Sequence, residues 1–179
     1  ARLVHELLDE DAVIAKRGNR LGARAIEAFF RFHGVEGDAQ AFAAPAWAAP
    51  RKLASTDKLN IGVVGAGGKG SSDTDHCASE NIVALCDVAT DTLAKRKQKY
   101  PKANTYQDWR EMLEKEKSLD AVIVSTPDHM HALVAATAMK MGKHIYCQKP
   151  LVQTVYEARL LRKLAKDNGV VTQMGNQGS

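Results

Sequence analysis

Long apolar runs are missing from this 179-residue sequence. No stretch reaches the roughly 18 consecutive apolar residues of a membrane-spanning helix, so no membrane partner is expected. Cysteine is scarce. Cys77, Cys86 and Cys147 cannot all pair with one another and have no metal-ligand spacing. Buried free thiols are expected, and no metal site. Strong charge of one sign is also missing: the net charge is +4. No basic run is long enough for a nucleic-acid partner. Lys95, Arg96, Lys97 and Lys99 cluster, but they read as a solvated helix face. There is no repeat at solenoid spacing. The hydrophobic and charged fractions, 45% and 26%, are those of an ordinary globular chain. The length gives room for one domain with an appendage.

What is present is organised around Leu59 to Gly70. Ile61, Val63 and Val64 are a β-branched run suited to a buried parallel strand. Gly65-Ala66-Gly67-Gly68-Lys69-Gly70 then fits G-x-G-x-x-G. The first glycine permits a tight turn, the second lets backbone approach a pyrophosphate, and the third lets a helix pack closely on the strand. The N–H groups and dipole at that helix start attract phosphate. A glycine-rich turn without a ligand is the other reading of these six residues.

A second strand reads from Asn81 to Cys86, with Asp87 at its end. Asp87 follows Gly70 by 17 residues, close to the spacing at which a carboxylate accepts from the adenosine ribose hydroxyls. A carboxylate there repels a 2′-phosphate, so NAD is expected over NADP. The alternative for Asp87 is a loop cap.

Strands and helices alternate from Asp57 onward. Helices are predicted over 68–78, 90–99, from Asp108 with Glu111 as capping-box partner, and over 129–141 with Asp128 as cap and Gly142 as stop. A further one starts at a Thr154/Glu157 capping box and buries Val155, Ala158, Leu161 and Ala165. Strands are expected at 104–106, 119–124, 143–147 and 170–174. Such alternation implies a doubly wound parallel sheet in the α/β class, with ligands at the carboxyl ends of its strands. Those ends bear Gly65 to Gly70, Asp87, Ser125 to His131, and Gln148-Lys149-Pro150.

Ser125, Thr126 and Pro127 open the segment expected beside the nicotinamide. His129 and His131 are two residues apart and face different ways on a helix. Loop or capping hydrogen bonds suit them better than direct catalysis. Lys149 is the catalytic candidate: held at a strand end before Pro150, it can donate a proton to a carbonyl or hydrogen-bond a hydroxyl being oxidised. Partial burial and a nearby cationic ring would lower its pKa. The alternative is a surface lysine in a turn.

The order G-x-G-x-x-G, strand-end Asp, T-P-x-x-x-H and x-K-P resembles the N-terminal domain of the glucose–fructose oxidoreductase/inositol dehydrogenase (Gfo/Idh/MocA) family over about residues 57–179. Thr126 to His131 and Gly142 to Leu151 carry the resemblance most specifically. It implies a Rossmann fold and NAD(P) binding by Gly65, Gly67, Gly68, Lys69 and Gly70, with Asp87 on the ribose. It also implies that Ser125, Thr126, Pro127, His131 and Gln148 line the nicotinamide side, and that Lys149 contacts both substrate and cofactor. The substrate implied is a sugar or cyclitol, and the full-length protein a homo-oligomer. Position 148 departs from the pattern, having Gln for Glu. The family's C-terminal substrate domain is also missing. An NAD-dependent glycoside hydrolase and a non-catalytic dinucleotide-binding module are the alternative functions.

Residues 1–54 read as a mostly helical or irregular extension before a domain over 55–179. Their apolar positions have the spacing of two amphipathic helices. Ala46-Trp47-Ala48 fits the A-x-A form of an export cleavage site, although Glu36 and Asp38 interrupt the apolar core such a signal needs. An Ala/Pro linker in a cytoplasmic protein is the alternative. The start at Ala1 and the stop at Ser179 suggest a fragment.

Overall fold

The computed structural model describes residues 57–176. The expected N-terminal helices and the Ala46-Trp47-Ala48 segment lie outside them. Six strands alternate with five helices: β1 Asn60–Val64, α1 Gly68–His76, β2 Asn81–Cys86, α2 Thr90–Lys99, β3 Asn104–Tyr106, α3 Trp109–Lys115, β4 Ala121–Val124, α4 Asp128–Lys140, β5 His144–Gln148, α5 Val155–Asn168 and β6 Thr172–Gly175. The strands form one sheet in the order β3-β2-β1-β4-β5-β6, and every pairing is parallel. The order reverses between β1 and β4, which opens a crevice at their carboxyl ends.

Both faces of the sheet are covered. Ile61, Val63, Leu85 and Ile123 pack towards Leu93 of α2 and Cys77 after α1. Val64, Ala84, Val122 and Val124 pack towards α3, α4 and α5 through Met112, Ala135, Ala138 and Leu161. Each such aliphatic side chain, buried fully, contributes on the order of 1.5–3 kcal/mol. Burial on both faces explains why β1 and β4 read as continuous apolar runs rather than alternating ones. All three cysteines are free and buried, and burial pushes the Cys86 thiol up to about 12. No helix of the described residues is long and apolar enough to cross a membrane.

Several local expectations are corrected. Asp108 caps α3 by accepting from Arg110 N at 2.8 Å, but Glu111 does not reach back, because it pairs with Lys115 one turn on. Asp128 lies inside α4, whose N-cap is Pro127 and has no side-chain cap bond. The fixed φ of Pro127 suits the non-helical cap position. On α5 the capping box of Thr154 and Glu157 is present, and Ala158, Leu161 and Leu164 are buried. Val155, the first residue of the helix, is 38% exposed. The basic cluster is not wholly solvated. Arg96 is buried and bonds Ser71 and Asp75, with Lys99 on Asp75 as well. These contacts and Tyr100 on Asp75 anchor α1, whose Ser, Asp and Thr give it little intrinsic helicity.

His144, on β5, is buried and accepts from Val171 N at Nδ1, 3.0 Å away. Burial pushes its pKa down from 6.5 to about 4, against the attraction of Asp120. The folded state therefore holds the neutral ring. Its stabilisation is complete above the unfolded value and is lost as pH falls from 6.5 towards 4. The loss is on the order of 3 kcal/mol. Thermal melts across this range should show a steep fall, and His144→Asn should flatten it. An equal acid slope in the variant would assign the effect elsewhere.

Candidate functional site

The turn after β1 is held by backbone bonds to the end of β2. Gly65 N and Ala66 N both donate to Cys86 O, at 2.9 and 3.1 Å. Gly65 has φ +83°, and a Cβ there would stand 2.5 Å from Ser125 O. A Cβ on Gly70 would stand 1.8 Å from Gly65 O, so the helix start lies directly on the turn. No side chain caps α1. The first N–H groups of an α-helix point along its axis towards whatever lies before it. A cradle of glycine backbone at an uncapped helix N-terminus fits a pyrophosphate.

Asp87 is half-buried beside it. Its Oδ2 accepts from Gly67 N and its Oδ1 from Ala89 N, both at 3.0 Å. The loop-cap reading of Asp87 thus describes a real contact. It does not compete with ribose binding, because two carboxylate oxygens offer about four acceptor positions.

Across the crevice, Ser125 follows β4, and its N donates to Val64 O at 2.9 Å. Thr126 and Pro127 turn into α4. His131 is 1% exposed. Its Nδ1 lies 2.7 Å from Pro150 O and its Nε2 2.8 Å from Thr126 O. The ring therefore lies between the Ser125–Pro127 turn and the loop after Lys149, with a backbone carbonyl within hydrogen-bond distance of each nitrogen. Lys149 and Pro150 are exposed at the end of β5, joined by a cis peptide. The partial burial expected of Lys149 is not present in the described residues.

Gln148 is buried. Its Nε2 donates to Asp73 Oδ2 at 2.8 Å, and Ser125 Oγ donates to the same oxygen at 2.8 Å. Lys69 Nζ stands 2.8 Å from Asp73 Oδ1. A Cβ on Gly175, the last residue of β6, would stand 2.7 Å from Tyr146 Oη and 2.8 Å from Gln148 Nε2. Sequence reasoning missed Asp73. The available signal was its place four residues after Lys69, one helical turn away, in a helix with little propensity of its own.

The sheet order, the glycine cradle and the strand-end carboxylate define a dinucleotide-binding domain. Residues 59–176 match the profile of the oxidoreductase family with an NAD-binding Rossmann fold, GFO_IDH_MocA, and the chain belongs to that family. A levoglucosan dehydrogenase from Pseudarthrobacter phenanthrenivorans is 27% identical over 124 residues, covering 63% of this chain and 32% of the relative. A glycosyl hydrolase family 109 protein from Solibacter usitatus is 35% identical over 112 residues, covering 55% and 26%. The solved structure of GenD2 from gentamicin A biosynthesis in complex with NAD superposes with a TM-score of 0.63 at 25% identity, covering 71% of this chain and 37% of that one. The chain thus spans about a third of the length of the relatives it matches. The matched family has an NAD-binding Rossmann fold, and the GenD2 structure holds NAD.

Proposed function

We propose that this chain is the cofactor-binding half of an oxidoreductase that moves hydride between nicotinamide and a hydroxyl or carbonyl carbon of a sugar or cyclitol. The observation that carries the reading is the convergence of Gly65–Gly70, Asp87, Ser125–Pro127 and Gln148-Lys149 on one edge of the sheet. In this reading the glycine loop and Lys69 bind pyrophosphate, and Asp87 accepts from the adenosine ribose. Thr126 and Pro127 border the nicotinamide, with His131 fixing their turn. The bound cofactor supplies the hydride acceptor or donor. Lys149 holds its ammonium Nζ at the substrate oxygen, donating a proton to a carbonyl or accepting one back from the alcohol through its neutral form. The full-length protein is a homo-oligomer in this reading, with the substrate pocket outside this chain.

Asp87 makes the reading testable. NAD⁺ should bind more tightly than NADP⁺ in calorimetric titration, by roughly 1–3 kcal/mol, because like charges meet at the ribose. Asp87→Ala should narrow that gap and weaken NAD⁺ binding, since Gly67 N loses its acceptor. Equal or tighter NADP⁺ binding by the parent would refute the ribose assignment.

The family 109 relative favours a second reading, an NAD-dependent glycoside hydrolase. There the hydride is taken and returned around an elimination, so turnover by the full-length protein would accumulate no NADH. Stoichiometric NADH from a sugar or cyclitol would exclude it.

A further inference from the structure

We propose that Asp73 is a positioning residue of the hydride-transfer edge, and that Asp73 and Gln148 act as a matched carboxylate–amide pair that holds this edge in register for the nicotinamide half of the cofactor. The inference rests on the dinucleotide reading above. Asp73 lies on α1, yet only 3% of it is exposed. A buried carboxylate is costly unless its charge is offset and its oxygens accept hydrogen bonds. Here the charge is offset at Oδ1 and hydrogen bonds are accepted at Oδ2, both from groups of the site itself. Lys69, from the glycine loop's helix start, offsets the charge at 2.8 Å. Ser125, after β4, and Gln148, at the end of β5, each donate to Oδ2 at 2.8 Å.

One carboxylate therefore joins the pyrophosphate loop to the two strand ends on the β4–β5 side of the switch point. The adenosine side, at Asp87 and β2, shares none of these bonds. Asp73 should thus act on the nicotinamide half and leave the adenosine half alone. The pairing also accounts for Gln at the position where the family resemblance has Glu. A carboxylate at 148 would face Asp73 Oδ2 at hydrogen-bond distance, with Lys69 at Asp73 Oδ1 as an offsetting charge. Two carboxylates cannot both stay ionised at that separation. The amide supplies the donor the site needs. Gly175 leaves Gln148 little room to swing away, because a Cβ there would already touch its Nε2.

The test is calorimetric titration of the 179-residue chain and two variants with NAD⁺ and with ADP. Gln148→Glu should weaken NAD⁺ about 10-fold or more, the scale expected for an unmatched buried charge. ADP, which lacks the nicotinamide riboside, should bind within about 2-fold of the parent. The exchanged pair Asp73→Asn with Gln148→Glu keeps one carboxylate and one amide in contact, and should return NAD⁺ affinity to within about 3-fold. A parallel loss of NAD⁺ and ADP would place the effect on the pyrophosphate loop or on folding rather than on the nicotinamide half, and would overturn the proposal. Parental NAD⁺ affinity in the single variant, or no recovery in the exchanged pair, would overturn it too. A parent that binds ADP and NAD⁺ tightly leaves the dinucleotide reading standing in those cases. A parent that binds neither takes both down.

Discussion

Lys149→Met, placed in a full-length version that carries the substrate domain, should lower kcat by about 10²–10⁴-fold, the usual cost of removing a positioned proton donor. The affinity for NAD⁺ should stay within about 3-fold, since the proposed cofactor contacts are mainly those of the glycine loop and Asp87. Folding should be unaffected. Lys149 is exposed, whereas the neighbouring Gln148, Leu151 and Val152 are buried and fix the backbone. Stopped-flow hydride transfer with a sugar or cyclitol panel measures the loss. Turnover near the parental rate would return Lys149 to the status of a surface turn lysine.

Gly70→Ala should be the most damaging alanine substitution among the described glycines. The added Cβ would lie 1.8 Å from Gly65 O and 3.0 Å from Ser125 Cβ. A backbone carbonyl cannot rotate away as a side chain can, so α1 or the turn must shift. The cost should be about 3 kcal/mol or more, with loss of NAD⁺ binding because the cradle opens. Gly68→Ala is the control. Nothing lies within 4 Å of its Cβ position, and its φ of +46° is the sole obstacle. That left-handed backbone should cost about 1–2 kcal/mol. Urea denaturation of both variants gives the comparison. Equal midpoints would mean that steric closeness at Gly70 is not what selects glycine.

Much of this architecture is legible in the sequence because its signals are local. The strand before the glycines, the capping box at Thr154 and Glu157, and the helix stop at Gly142 each lie within a few residues of what they determine. Asp87 is legible at longer range only because the β1–α1–β2 unit fixes its distance from the glycines. The Asp73–Gln148 bond spans 75 residues. It depends on α1 returning to the crevice beside β4 and β5, which no local pattern encodes. The placement of His131 between two backbone carbonyls is not legible in the sequence, because those carbonyls belong to separate loops. Arg96 reads as solvated for a similar reason: Asp75, its partner, sits on a different helix.

The two backbone bonds on Asp87 limit how this domain can change its cofactor. Relieving repulsion of a 2′-phosphate by removing the carboxylate also unlatches Gly67 N and Ala89 N. An asparagine there would keep one acceptor but turn an NH₂ towards a backbone N–H, and a serine would reach only one of the two donors. In the proposed reading, cofactor choice and loop geometry are thus written on the same atoms. An evolutionary or laboratory route to NADP would begin at the neighbours, where Val88 is 84% exposed and a cationic side chain could be added without disturbing the latch.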